Sequence, residues 1–439
     1  MNHVNAPTST SNVIPLGEPA GFPRAPRTLD ETGLPLLFLV ELATKLLFVR
    51  GQMRLTELSQ QLRLPAIVLE SLLAFMRAER ICEVMRRGET DGDILYELTD
   101  AGRARASEYL GRCKYAGAAP VSLAAYVAQV ERQSVTKMNV TREGVNDAFR
   151  GLIVKPEVRD QLGAAMGSGR ALFLYGPAGA GKTYLAERLA LLLDGDVAVP
   201  HAILVDGEII QVFDPLIHTP VADDHRPAAL DVMMRPDQRW VRCRRPVAIT
   251  GGELTLRMLD LDYDASSGFY QAPPHVKANN GLFVVDDLGR QIVTPEQLMN
   301  RWIVPMDRHH DYLALHSGTK FALPFDVVLV FSTNLMPQDV ADPAFLRRLG
   351  YKIHIGPMDE NDYRRIFVGV CEARGVPFDE AAFGTLVKDY HEAHGQPLLA
   401  CYPRDLVNQI ADLARYLGEP PRLTREALDW AWHNYFATR

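Results

Sequence analysis

The chain has 439 residues, 47% of them apolar, and a formal charge of -7 with a pI near 6. That length exceeds one ordinary domain and supplies ample core, and the acidic balance excludes a chain-wide surface for coating polyanions. Five widely spaced cysteines (Cys82, Cys113, Cys243, Cys371, Cys401) make no C-x-x-C pair, which sets aside structural zinc and disulfide scaffolding and predicts reduced thiols in a cytoplasmic protein.

Residues 1–30 carry Pro7, Pro15, Pro19, Pro23 and Pro26 among Ser, Thr and Asn, a composition too poor in apolar groups to order itself. No basic flank and apolar core of an export signal is visible there. The run Leu34 to Val40 is broken by Pro35 and falls far short of the roughly 20 residues of a membrane span.

Residues 31–110 read as three helices, a strand pair and a closing helix: Leu36 to Val49, Leu55 to Leu62, Pro65 to Arg77, Ile81 to Met85, Ile94 to Leu98 and Thr99 to Tyr109, with a hairpin tip at Gly88 to Gly92. This order is that of a winged helix-turn-helix. Its third helix offers only Arg77 as a base and carries Glu70 in its middle, whereas readers of the major groove bring Arg, Lys, Asn or Gln on that face. From Leu34 to Leu110 there are 10 Lys plus Arg against 11 Asp plus Glu. Arg86 and Arg87 in the wing are followed at once by Glu89, Asp91 and Asp93. Protein docking is therefore the favoured role, with DNA binding as the alternative.

Residues 111–146, mixing Gly and Pro with one helical stretch at Leu123 to Arg132, read as a linker. Beyond it, short apolar strands alternate with helices: Ala171 to Tyr175, Ala202 to Val205, Leu282 to Val285, Val327 to Phe331 and Lys352 to Ile355. Such runs predict an α/β fold with a parallel sheet over residues 147–358, covered on both faces. Residues 359–439 then read as four helices.

The segment Gly176-Pro177-Ala178-Gly179-Ala180-Gly181-Lys182-Thr183 fits G-x-x-x-x-G-K-[ST], between a strand and a helix beginning near Tyr184. Glycines let backbone N–H groups turn inward around phosphates, and the following helix presents its positive end. Lys182 is expected on the β- and γ-phosphates of ATP and Thr183 on Mg²⁺. The buried strand Leu282 to Val285 ends in Asp286-Asp287 and is expected beside the phosphate-loop strand. Asp286 would then organise Mg²⁺ and Asp287 would polarise the attacking water.

From about Gly144 onward these motifs, in this order, resemble AAA+ ATPases. Ser332-Thr333-Asn334 is similar to sensor 1, with Asn334 at the γ-phosphate or its water. Asp342 to Leu349 resembles the segment bearing the arginine finger, which implies Arg348 in that role, or else Arg347. Tyr402-Pro403-Arg404 resembles the start of the sensor 2 helix, with Arg404 reaching the nucleotide. Ile153, within Leu152-Ile153-Val154, stands where the family touches adenine.

Ala278-Asn279-Asn280-Gly281 and the hairpin pattern Asp311 to Leu323 resemble the magnesium-chelatase and MoxR-type branch. The added winged helix resembles predicted chaperone ATPases linked to Flp pilus assembly. The resemblance implies a homo-oligomeric ring, most often a hexamer, that hydrolyses ATP to remodel or assemble a protein partner. A DNA-binding regulator or motor, and a slow nucleotide-switch scaffold, are the competing readings. The scaffold reading follows from a departure: the family usually has Asp-Glu where this chain has Asp-Asp. The base is one methylene short, about 1 Å, and a misplacement of that size can cost on the order of 10²-fold.

An insertion expected at about 206–280 holds Trp240, Tyr263, Phe269 and Tyr270. The tip Ser266 to Tyr270 reads either as an aromatic pore loop or as a hairpin packed on its own insertion. His309-His310 beside Asp307 and Asp311, and Asp223-Asp224-His225, read as exposed rather than metal-binding.

Overall fold

The computed structural model describes residues 21–86, 94–222, 235–340 and 342–436. The expected wing tip at Gly88 to Gly92, the charges Arg87, Glu89, Asp91 and Asp93, and Asp223-Asp224-His225 lie outside them, as does most of the expected N-terminal tail.

Helix α1 (Leu36–Arg50) is largely apolar, and Leu39, Val40 and Leu42 to Leu47 are buried while Leu37 and Val49 stay exposed. Around it lie strand β1 (Met53–Arg54), helices α2 (Leu55–Leu62) and α3 (Ala66–Ala78), strands β2 (Cys82–Arg86) and β3 (Leu95–Leu98), and helix α4 (Asp100–Arg112). The Thr99 hydroxyl caps α4 by accepting the Gly102 N–H at 3.0 Å. The strands form an antiparallel sheet in the order β1-β3-β2. Strand β1, with two residues, was too short to show a pattern.

Residues 111–146 are not a loose linker. Strand β4 (Val121–Ser122) and helices α5 (Leu123–Arg132) and α6 (Arg142–Ala148) bury Val121, Tyr126, Val130 and Val145. Helix α7 (Pro156–Ser168), strand β5 (Leu172–Tyr175) and helix α8 (Lys182–Leu189) follow. Next come strands β6 (Asp196–Pro200), β7 (Ala202–Val205), β8 (Glu208–Gln211), β9 (Trp240–Arg244), β10 (Val247–Thr250), β11 (Asp262–Asp264) and β12 (Phe269–Gln271). Then come helix α9 (Pro274–Lys277), strand β13 (Gly281–Val285), helix α10 (Pro295–Arg308), strands β14 (His310–Ala314), β15 (Lys320–Pro324) and β16 (Val327–Thr333), helices α11 (Pro337–Val340) and α12 (Pro343–Leu346), and strand β17 (Tyr351–His354).

The central sheet runs β10-β13-β16-β5-β17, with every pair parallel. Two expectations are corrected here. Ala202 to Val205 is not in this sheet; β7 pairs antiparallel with β8 and parallel with β4 in a second sheet ordered β11-β12-β8-β7-β4. Its place in the core is taken by β10, from within the tract read as insertion. A short apolar run reports burial but not which sheet buries it. Nor is β13 beside β5, the strand ahead of the glycine-rich segment, because β16 lies between them.

The extra elements therefore begin at β6, before the core sheet resumes at β10, and continue to α9. They share a core with the N-terminal unit: Ala202, Leu204 and Ile209 are buried in one cluster with α1 and α3 residues, and Phe269 packs against it. A buried Arg239–Asp237 ion pair, 2.8 Å long, adds to the join, since the Arg239 guanidinium also donates to the carbonyls of Thr32 and Pro120 at 2.8 and 3.3 Å.

The Ser266 to Tyr270 tip is docked rather than free, and largely on residues outside the insertion. Tyr270 is 1% exposed and bonds His316 on the β14–β15 hairpin, Phe269 meets Tyr115 edge-on, and the Lys114 N–H donates to the Ser267 carbonyl at 2.7 Å.

The C-terminal part holds α13 (Glu360–Arg374), α14 (Glu380–Thr385) continuing as a π-helix over Leu386–Glu392, α15 (Cys401–Leu417) and α16 (Arg425–Phe436). Inside it His391, 1% exposed, accepts from the Tyr363 hydroxyl at Nε2 (3.0 Å) and donates from Nδ1 to the Gln396 carbonyl (3.2 Å). Burial holds its pKa down at about 4. The unfolded imidazole takes its proton near pH 6.5, so between there and about 4 the unfolded chain binds more protons and stability falls as pH falls. The melting temperature is expected to drop across that window, and His391→Gln to flatten the drop when melting is followed by fluorimetry. A profile unchanged by the substitution would contradict this.

Among the described residues no helix is long and apolar enough to cross a membrane.

Candidate functional site

The site forms at the C-terminal ends of β5, β16 and β13. Strand β5 stops at Tyr175, and the chain turns through Gly176, Gly179 and Gly181 at φ +147°, +84° and +96° before entering α8. These are conformations that side chains resist. A Cβ at Gly176 would overlap the Ile355 carbonyl oxygen, and one at Gly179 would overlap the Cys401 sulfur. Pro177 is half-buried, Ala178 is exposed at the apex of the loop and Ala180 is buried.

Lys182 opens α8 and is 5% exposed. Its ammonium donates to the carbonyls of Gly176 (3.0 Å) and Pro177 (2.9 Å) and to Asn334 Oδ1 (2.7 Å). Burial lowers its pKa, while the charges of Asp287 and Asp286 push it back up. Asn334 stands immediately after β16, so the residue expected as sensor 1 meets Lys182 directly. The Thr183 hydroxyl lies 3.1 and 2.9 Å from the two carboxylate oxygens of Asp286, across the intervening strand. A hydroxyl and a carboxylate converging beside an ammonium suit a hard cation and the anion it accompanies. Among the described residues no group of three or more His, Cys, Asp or Glu gathers as a metal cluster, and His309 and His310 form none.

Asp287 is exposed, sits at φ +48° and has no side-chain hydrogen bond or ion pair among the described residues. Tyr184 is 48% exposed and accepts from Arg188 at 2.8 Å. Ile153 is half-buried ahead of α7.

The C-terminal helices touch the loop through α15, whose first N–H, from Cys401, donates to the Gly179 carbonyl at 3.1 Å. Arg404, one turn on, is exposed and bonded to Asp405 at 3.1 Å rather than to any loop residue. Arg348 is also engaged. Its Nε lies 2.9 and 2.8 Å from the Asp307 carboxylate oxygens, and its Nη1 donates to the Ala344 carbonyl at 2.6 Å. Arg347 is exposed and has no side-chain partner among the described residues. Cys401 and Gln291, which fasten the loop and the acidic turn, carried no motif that could single them out.

Residues 359–434 match a family described as a domain of unknown function (DUF8689). No curated protein matches the sequence. Among solved structures, NtrX from Brucella abortus in complex with ATP is 14% identical, covering 68% of this chain and 61% of that one, with a TM-score of 0.41. The RuvB Holliday junction branch migration motor of Thermotoga maritima is 12% identical, covering 66% of this chain and 68% of its own, with a TM-score of 0.35. The chain thus spans about three fifths of the NtrX chain.

Proposed function

We propose that this chain is an AAA+ ATPase that binds ATP with Mg²⁺ and uses its hydrolysis to remodel or assemble a protein partner. One observation carries the reading: Lys182 meets Asn334 while Thr183 meets Asp286, so three strands not adjacent in sequence deliver a cation, an amide, a hydroxyl and a carboxylate to one place.

The residues fit the nucleotide. Amides of the Gly176–Thr183 loop would hold the phosphates at the positive end of α8, and Lys182 would supply the mobile positive charge. Thr183 and Asp286 would hold Mg²⁺, which neutralises the charge developing on the phosphates. Asn334 would orient the attacking water and Asp287 would accept its proton. Tyr184 and Ile153 would border the base.

The test is binding of a fluorescent ATP analogue. Lys182→Ala is expected to weaken it at least about 100-fold, as loss of a charge-assisted contact to a polyanion should. Wild-type affinity in that variant would overturn the reading.

A ring, taken as a hexamer, follows from an arginine finger that only a neighbour can use. Arg347 is the better candidate, because Arg348 is already held by Asp307. Arg404 would exchange Asp405 for the nucleotide when the lid closes. The β14–β15 hairpin ahead of β16 supports the MoxR-type branch, and the predicted Flp pilus chaperones remain the narrower reading.

The partner is taken to dock on the N-terminal winged helix. The outward face of α3 presents Ile67 (59% exposed), Glu70, Ser71 and Ala74, and Met85 beside it is 51% exposed. That face suits a protein better than a phosphate backbone. ATPase stimulation by DNA with a steep salt dependence would favour DNA instead. All five cysteines are free thiols, in keeping with the cytoplasm.

A further inference from the structure

Gln291 lies beyond the acidic pair and is 9% exposed. Its amide is fully used. Nε2 donates to the carbonyls of Asp286 (3.0 Å) and Gly251 (3.1 Å), and Oε1 accepts the Gly289 N–H (2.9 Å). The side chain thus closes the Asp286-to-Gly289 turn on itself and ties it to the loop after β10. From the other flank, the Ser332 carbonyl accepts the Leu288 N–H at 2.8 Å, and the Thr333 hydroxyl donates to the Leu288 carbonyl at 2.6 Å. Between these fastenings sits Asp287 at φ +48°. Aspartate enters the left-handed region more readily than most residues with a Cβ, yet still at a cost, so the bonds on either side decide whether it stays there.

Resting on the ATPase reading above, we infer that Gln291 is a positioning residue for Asp287, holding the left-handed turn that aims its carboxylate at the water beside Asn334. The short side chain makes this necessary. An aspartate has one bond less than a glutamate with which to correct its aim, so the backbone must be placed for it. Relaxation of Asp287 to negative φ would swing the carboxylate aside while leaving Thr183 and Asp286 in contact.

The test uses the full chain with Gln291→Met, which keeps length and bulk and removes all three hydrogen bonds. The turnover number is expected to fall between about 10- and 100-fold, the range of a misplaced reacting group. KM for ATP and affinity for a fluorescent analogue should stay within about threefold, because the phosphate contacts are untouched. A merely structural role would move affinity and turnover together. Combined with Asp287→Asn, Gln291→Met should add no further loss, since the two act as one unit. Unchanged turnover in Gln291→Met, or losses that multiply in the double variant, would overturn the proposal.

Should Gln291→Met not fold, Thr333→Val and Thr333→Ser probe the opposite fastening. The Thr333 hydroxyl also accepts the Leu335 N–H at 3.1 Å, so Val should reproduce the turnover loss and add none to Asp287→Asn while Ser restores activity, whereas equal turnover in the two, or a loss that multiplies with Asp287→Asn, would overturn the proposal. A wild type that binds ATP without turnover would remove the ATPase reading and the proposal together, a result distinct from active wild type beside equally active Gln291→Met.

Discussion

Asp287→Asn is expected to bind ATP as the wild type does and to hydrolyse it more slowly by a factor on the order of 10² to 10⁴, the usual contribution of a positioned general base. On the proposed reading the two carboxylates have separate duties. Asp286 is committed to the Thr183 hydroxyl at 2.9 Å, whereas Asp287 has no side-chain partner among the described residues and remains free to take a proton. The amide keeps the shape and loses the basicity. Phosphate release in single-turnover reactions reads the chemical step directly, and Asp287→Glu provides the calibration. If the native carboxylate is about 1 Å short of its water, Glu should raise the rate, because misplacement on that scale is costly. Wild-type turnover in the Asn variant would remove Asp287 from the role.

Arg347→Ala should lower turnover by on the order of 10³-fold, the least expected of an arginine finger, and leave ATP affinity intact. Arg348→Ala should cost stability more than activity, because it breaks the ion pair to Asp307 at 2.8 Å. Mixing decides whether the finger works across an interface. Arg347→Ala chains keep their own base, and Asp287→Asn chains keep their own finger. Mixed assemblies should therefore recover activity that neither variant has alone. If Arg348→Ala is the inactive variant and Arg347→Ala is not, the assignment made from sequence stands and the one made from geometry falls.

The difference between those two arginines illustrates what a sequence can carry. The segment Asp342 to Leu349 resembles one that bears an arginine finger, but Asp307 lies 41 positions from Arg348, and nothing local couples them. Helix positions were legible because each is set by its own residues: Thr99 caps α4, Gly375 ends α13 and Gly418 ends α15. The glycine-rich turn into α8 and the acidic end of β13 stood out for the same reason, since each is contiguous in sequence.

Sheet membership was not. Ala202 to Val205 and Val247 to Thr250 are both four-residue apolar strands, and only their neighbours assign one to the second sheet and the other to the core. The packed tract 111–146 was missed because its Gly and Pro residues mark turns without saying that Val121 between them is buried. Gln291 was invisible altogether, being one polar loop residue among many until the fold puts three backbone groups around it.

The join between the N-terminal unit and the inserted strands bears on how the chain is assembled as it is made. Helices α1 to α4 leave the ribosome before Leu204, Ile209 and Phe269, which complete their core and are synthesised much later. Until then the nascent unit shows apolar surface that only its own downstream sequence can cover, a state prone to association with other chains. The unit is therefore not a cassette that can be cut away and transplanted. A fragment ending near residue 112 should aggregate or remain loosely packed, whereas one extended through β12 has what it needs to close.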